Sequence, residues 1–299
     1  MPEVKKIIIN ENISGQRLDN FLLNHLKGVP KSKIYSIIRK GEIRVNSKRK
    51  KPSYKLAIDD EVRVPPIKTS SKENQFVPSN IIALLRDSIV EENDDYIALN
   101  KPDGIASHGG SGISIGVIET IRNFGKSYRD AKLVHRLDKD TSGVFIIAKN
   151  RESAQLLTSL FRLRKVHKTY LAICQGEITN NSGTWEDDLI RYDGDKKVIE
   201  NAKTIYKVLD KNSEASLLEL KPITGRKHQL RKQLYAIGNP IFGDTKYKLS
   251  NSNKGINKNL MLHSYQIKFK INNIKHTYSA LLPDYFKRLL KSKRLRFSN

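Results

Sequence analysis

Cysteine is nearly missing from this chain: Cys174 stands alone among 299 residues. A single thiol can neither close an intramolecular disulfide nor build a cysteine-ligated zinc site, so both are excluded. Long apolar runs are missing too. No stretch reaches the roughly 18 consecutive apolar residues that a membrane span needs. The first residues, Met1 to Asn12, hold only the short run Ile7-Ile8-Ile9 and no small-residue cleavage site, so they do not read as a secretory signal. A soluble protein of the reducing cytoplasm is the expectation. The seven histidines form no H-E-x-x-H and no H-x-E with C-x-x-C, which removes metal-dependent protease and deaminase readings and leaves no expected metal site. Gly125-Lys126-Ser127 ends like a phosphate-binding loop, but the glycine needed five residues earlier is Thr120. His108-Gly109-Gly110-Ser111-Gly112 leads into neither a nucleophile elbow nor a dinucleotide fingerprint and reads as a tight turn. No cofactor is therefore expected.

Acidic residues are scarce as well, 31 against 55 Lys and Arg, for a formal charge of +24. Such an excess implies an anionic partner, nucleic acid or an acidic membrane surface. Lysine is common throughout the chain, so clustering is more telling than the total. Between Lys27 and Lys55 stand eleven Lys or Arg residues and one acid, Glu42. A solvated face usually mixes both signs, whereas a surface that tracks phosphates does not.

The length predicts two domains. Residues 14–66 read as a small unit. Leu18, Phe21, Leu22 and Leu26 recur at helical spacing, and a second helix runs from Ser32 to Lys40, with Ile34, Ile37 and Ile38 inward and Gly41 at its stop. Glu42 to Val45 and Glu61 to Val64 read as strands. Polar residues 67–80 read as a linker. Beyond it, residues 81–299 are dominated by strand-like runs at 88–91, 96–100, 144–149, 169–175, 216–220 and 260–271, with a hairpin turn at Asn272-Asn273 and a return over 276–282. Helical stretches are fewer, at 116–123, 151–161 and 228–237. The fold class is α+β: a small basic α/β domain, then a larger domain with a mixed, mostly antiparallel sheet and flanking helices. The basic segment from Phe286 onward reads as a solvated helix end.

One loop carries chemistry. In His135-Arg136-Leu137-Asp138-Lys139-Asp140-Thr141-Ser142-Gly143, Asp138 lies between two cations and precedes a buried strand. Nearby positive charge favours the charged form of a carboxylate, the form a nucleophile or base needs. An isolated loop of this kind would more often be a capped turn. A second cluster, Thr224-Gly225-Arg226-Lys227-His228-Gln229-Leu230-Arg231, places cations at a helix start, against its dipole. An anion nearby, a phosphate or Asp138, would account for them.

The order H-R-L-D-K-D-T-S-G, K-T-Y-L-A, T-G-R-K-H-Q-L-R resembles the RluA family of pseudouridine synthases, and N-K-P-D-G-I-A-S-H-G-G-S-G at Asn100 to Gly112 resembles its RluC branch. The front unit resembles the alpha-L RNA-binding motif shared with a ribosomal small-subunit protein. The resemblance covers nearly the whole chain. It implies a pseudouridine synthase fold, no cofactor, and action as a monomer on uridines of 23S ribosomal RNA in the large subunit, with a sister synthase acting elsewhere and a non-catalytic RNA-binding factor as the alternatives. It assigns Asp138 as the catalytic aspartate, Tyr170 as the side chain against the flipped uracil, and Arg231 as the arginine paired with the aspartate. Arg136 would enter the vacated stack, and Arg226 would meet a phosphate or the aspartate. Lys31, Lys33, Arg39, Lys40, Arg44 and Lys48, Arg49, Lys50 and Lys51 would lie on structured RNA. Asp138 would either attack C1′ or take the C2′ proton to give a glycal. Two places depart from the family pattern: Lys232-Gln233, and a short, polar segment from Ile190 to Lys203.

Overall fold

The computed structural model describes residues 4–11, 13–26, 29–67, 77–109, 115–193, 196–249 and 259–297. The chain divides into two compact units, Met1–Phe76 and Val77–Asn299.

In the first unit, α1 (Leu18–His25) buries Leu18, Phe21 and Leu22, and α2 (Lys31–Lys40) buries Ile34, Ile37 and Ile38. Gly41 ends α2 in the left-handed conformation (φ 74°), where a glycine carries no Cβ penalty. These apolar stripes close over a three-stranded sheet of β1 (Lys5–Ile8), β2 (Arg44–Val45) and β3 (Glu61–Val64), in the order β1-β3-β2. The unit thus starts earlier than the expected residue 14. Four residues are too short a run to announce a strand, and β1 is defined by its antiparallel register along β3, from Lys5 opposite Val64 to Ile8 opposite Glu61.

The second unit is built on one mixed sheet. Its elements are α3 (Ser79–Asp87), β4 (Ile89–Glu92), β5 (Tyr96–Lys101), α4 (Val117–Ile121), β6 (Lys132–Leu133), β7 (Ser142–Ala148), α5 (Arg151–Arg162), β8 (His167–Gln175), β9 (Ser182–Asp193), β10 (Lys196–Lys211), β11 (Ala215–Pro222), α6 (Gln229–Ala236), β12 (Leu262–Ile271), β13 (Ile274–Ser279) and α7 (Asp284–Ser292). The main path runs β4-β5-β7-β12-β8-β11-β10-β9, with β13 beside β12 and β6 beside β7. All named pairings are antiparallel except β7 with β12. The mixed, mostly antiparallel sheet matches the sequence expectation.

Three expectations need correcting. Helix α3 begins at Ser79, inside the stretch read as linker, and buries Leu85. Strands β9 and β10 form a long hairpin that the polar composition of 182–211 concealed. Helix α7 is not a solvated end, because it buries Phe286, Leu289 and Leu290 against the core under β8 and β11.

Strand β7 is buried along its whole length, including Val144, Phe145, Ile146 and Ile147. Each such side chain contributes about 1.5–3 kcal/mol relative to exposure. At its start Gly143 (φ 108°) lies directly on the backbone of Ser264 in β12, where any Cβ would overlap the Ser264 carbonyl. This close approach seats the loop of Asp138, which ends where β7 begins.

Candidate active site

The loop before β7 is held at three points. His135 accepts the Ile146 N–H at its Nε2 (2.9 Å), and its ring stacks on Phe161 of α5 at 4.5 Å. Ser107 Oγ donates to the Leu137 carbonyl (2.7 Å) and accepts the Leu137 N–H (3.1 Å). Lys101, fully buried at the end of β5, donates to the carbonyls of Pro102 (2.7 Å), Ile105 (2.8 Å) and Lys139 (3.1 Å). Burial lowers the Lys101 pKa to about 8 against the opposing pull of Asp103, Asp140 and Asp138. Three carbonyls around one ammonium fix the backbone on the far side of Asp138.

Asp138 faces a cavity of about 630 Å³ that Arg136, Tyr170, Arg226, His228 and Arg231 also line. The five site residues expected in this domain therefore share one space. Among the described residues lining it, Asp138 is the only acid, beside six Lys or Arg. Its carboxylate is 29 % exposed and receives Arg231 Nη1 on Oδ2 at 3.3 Å. His228 Nε2 stands 3.8 Å from Oδ1.

Arg231 spends its better geometry elsewhere. Its Nε and Nη2 donate to the two carboxylate oxygens of Asp244 at 2.7 and 2.8 Å, a bidentate pair with side chains 7 % and 1 % exposed. Asp244 also accepts the N–H groups of Lys246 (2.8 Å) and Tyr247 (2.9 Å). Arg231 thus pairs with Asp138 as expected, through one nitrogen, while Asp244 locks the rest of the guanidinium. Fork-to-fork pairing is the strongest orienting contact available to arginine. Asp244 went unnoticed in the sequence because nothing near it suggests chemistry; a lone acid after Gly243 reads as a turn.

Tyr170, on β8, is partly exposed to the cavity and packs between two apolar clusters. Burial raises its phenol to about 12, with a hydrogen-bond interaction with Ser264 opposing and the Asp138 charge reinforcing. Arg136 is exposed and has no ion pair among the described residues. Arg226 donates to the Asn201 carbonyl (3.1 Å) and lies 3.6 Å from Glu200, so of its two expected partners the aspartate is not the one it meets.

The two departures from the family pattern meet. Lys232 donates to the Ile190 carbonyl (3.1 Å), and buried Gln233 accepts from Thr204 (2.7 Å) and donates to Asp187 (2.8 Å) and to the Ala202 carbonyl (3.3 Å). Helix α6 thereby holds the β9–β10 hairpin, and a polar hairpin matches a polar pair on the helix.

In the first unit, Lys31, Lys33, Arg39 and Lys40 are exposed along α2 and have no ion pair among the described residues. Arg44 is partly engaged, donating to the carbonyls of Gly41 (3.4 Å) and Ser47 (3.2 Å). Arg49 covers Gly41, and Lys50 lies 4.4 Å over the Tyr54 ring. Lys48 and Lys51 are exposed.

Residues 95–236 match the RNA pseudouridylate synthase family model, and residues 16–62 match the S4 domain. The chain is 41% identical over 280 residues to the ribosomal large subunit pseudouridine synthase C of Vibrio vulnificus, spanning 89% of each chain. It belongs to the RNA pseudouridylate synthase family. The enzyme of the same name from Escherichia coli K12 is also 41% identical, over 90% of this chain and 89% of its own. Among solved structures, human RNA pseudouridylate synthase domain containing 4 superimposes with a TM-score of 0.63 at 27% identity, over 74% of this chain and 98% of that one. The mixed sheet is therefore a pseudouridine synthase fold, with an S4 domain ahead of it.

Two histidines of this synthase carry a pH consequence. Burial, aided by the Lys168 charge, lowers His135 to about 3, and burial lowers His263, whose Nδ1 meets Ser142 Oγ at 2.9 Å, to about 4. Both folded values lie below the ordinary 6.5, so between pH 6.5 and 4 the unfolded chain binds more protons. Their contribution is whole above about pH 6.5 and is lost as pH falls through that window. Urea unfolding is expected to show lower stability at pH 4.5 than at pH 7, with a shallower fall in His263→Asn. An equal fall in both proteins would sink the assignment to His263.

Proposed function

We propose that this synthase isomerises uridines of large-subunit ribosomal RNA to pseudouridine, with Asp138 as the catalytic carboxylate. The reading of the target rests on the names of the curated relatives, which span nearly the whole chain. The observation that carries the chemistry is Asp138 as the single acid among the described residues of a cavity that it shares with Tyr170, Arg231 and Arg136.

The reaction breaks N1–C1′, turns the uracil, and joins C5 to C1′; the C5 proton leaves and N1 gains one. Atoms and electrons balance within the nucleoside, so the isomerisation consumes no oxidant or reductant. A stacked base cannot reach the carboxylate, and flipping it out costs a few kcal/mol. Arg136, exposed on the loop itself, fills the vacated stack, and Tyr170 holds the uracil by its face. A phenol held near 12 is a poor proton acceptor at neutral pH, so support is the better role for Tyr170. Attack at C1′ and abstraction of the C2′ proton both begin from Asp138, which Arg231 keeps aimed into the cavity. The S4 unit delivers the RNA: Lys31, Lys33, Arg39 and Lys40 form its exposed cationic face, with Arg44, Lys48, Arg49, Lys50 and Lys51 around the adjoining turn. Such contacts position the RNA without reading sequence, and the fold of the RNA then selects the uridine. Arg226 borders the same cavity and would meet a phosphate of the bound RNA.

Mapping pseudouridine across all stable RNAs in a strain lacking the gene tests this. A defined set of 23S positions is expected to revert to uridine and to return on complementation. Loss confined to transfer RNA would overturn the target and keep the chemistry.

A further inference from the structure

Asp138 has two oxygens, and Arg231 holds only one. Oδ1 faces the His228 imidazole, whose Nε2 is 3.8 Å away, while the other ring nitrogen, Nδ1, lies 3.0 Å from the Tyr247 hydroxyl. We propose that Tyr247 and His228 form a positioning pair in which the phenol fixes the imidazole tautomer, so that Nε2–H points at Asp138 Oδ1 and His228 becomes the second holder of that carboxylate. This rests on the catalytic reading of Asp138 given above.

The chain of contacts is directional. Asp244 accepts the Tyr247 N–H and grips Arg231, whose guanidinium lies 5.3 Å over the Tyr247 ring. One buried acid thus sets both arms that reach Asp138: Arg231 directly, and His228 through Tyr247. A phenol donates its proton, and burial together with Asp244 and Asp138 raises its pKa against the charge of Arg231, so the hydroxyl stays a donor. Nδ1 then accepts, and in a neutral imidazole the proton sits on Nε2. Burial, with Arg231, Lys246 and Lys227, lowers the His228 pKa, while Asp138 alone raises it; the neutral ring is the resting form. His228 also occupies the left-handed region (φ 54°) ahead of α6. Such a conformation persists where the surroundings over-determine it. At 3.8 Å the contact to Oδ1 is open, as catalytic hydrogen bonds often are before substrate arrives. A neutral donor holds the oxygen without the full charge that would quench it.

The test is a double-mutant cycle on the full chain, with tritium release from C5-labelled ribosomal RNA as the rate and a direct reading of the tautomer. Tyr247→Phe is expected to lower kcat roughly tenfold with KM unchanged. His228→Gln keeps an amide donor at similar reach, loses a few fold, and makes Tyr247→Phe silent. The acid limb of the wild-type profile, where protonation of His228 ties up Asp138, is absent in His228→Gln. Nitrogen NMR of the His228 ring is expected to show Nε2–H alone in wild type and both tautomers in Tyr247→Phe. This spectroscopic arm does not depend on activity, so the pair fails on its own if the tautomer is unchanged in Tyr247→Phe. It fails equally if Tyr247→Phe costs the same in both backgrounds, or acts on KM alone. Full activity in Asp138→Asn would instead remove the reading on which the pair rests.

Discussion

Asp138→Asn is expected to lower single-turnover pseudouridine formation by about a thousandfold or more, the scale on which an enzyme loses an activated nucleophile or base. Asparagine keeps the size of the side chain and its contact with Arg231 but offers neither an anionic attack on C1′ nor a base for C2′. The fold has little reason to change. Arg231 retains its bidentate pair with Asp244, and the loop stays pinned by His135, Ser107 and Lys101. Binding of RNA is expected to hold or tighten, because the variant removes a negative charge from a cavity bordered by Arg136, Lys168 and Arg226. Tritium release paired with filter binding reads both. Activity within tenfold of wild type at unchanged affinity would show that another group does the chemistry.

Asp244→Ala is expected to do the broadest damage of any single change near the site. It strands the Arg231 guanidinium, which is 7 % exposed, without its carboxylate. Breaking a buried pair from one side costs about 3–5 kcal/mol, since the remaining charge stays desolvated. The substitution also leaves the Lys246 and Tyr247 N–H groups without their acceptor. The relief open to Arg231 is to swing onto Asp138, which would tie up the carboxylate proposed to react. Stability by urea unfolding and kcat are therefore expected to fall together, with Asp244→Asn falling less because a neutral amide still accepts those bonds. A loss below about 1 kcal/mol would mean the guanidinium finds another partner.

The reach of the sequence follows from where physical constraint leaves a local trace. Buried helix faces and the apolar run of β7 announce themselves by spacing, as Phe21, Ile37 and Phe145 do. Asp138, Tyr170 and Arg231 could be singled out because three ordered motifs surround them, and the fold brings the three to one cavity. Asp244 and Tyr247 could not be, since their meaning comes from a fold that returns them to α6. The Glu200 partner of Arg226 was hidden for the same reason: it lies on a hairpin whose polar residues masked its strands. Lys101 looked like one more lysine in a lysine-rich chain, and only its burial among three carbonyls marks it out. Even the departures at Lys232-Gln233 and Ile190 to Lys203 read as two separate oddities until α6 is seen to grip the hairpin.

The place of β12 in the sheet has a consequence for how this protein comes into being. It is drawn from residues 262–271 yet sits between β7 and β8, which precede it by roughly a hundred residues. Contacts so distant along the chain are closed slowly and late. During synthesis the sheet must therefore wait with its central position open, and the loop of Asp138 has no Ser264 backbone to rest on. The loop of Asp138 is therefore seated only after the ribosome has delivered β12, and a nascent fragment that stops short of it has the motif without its support.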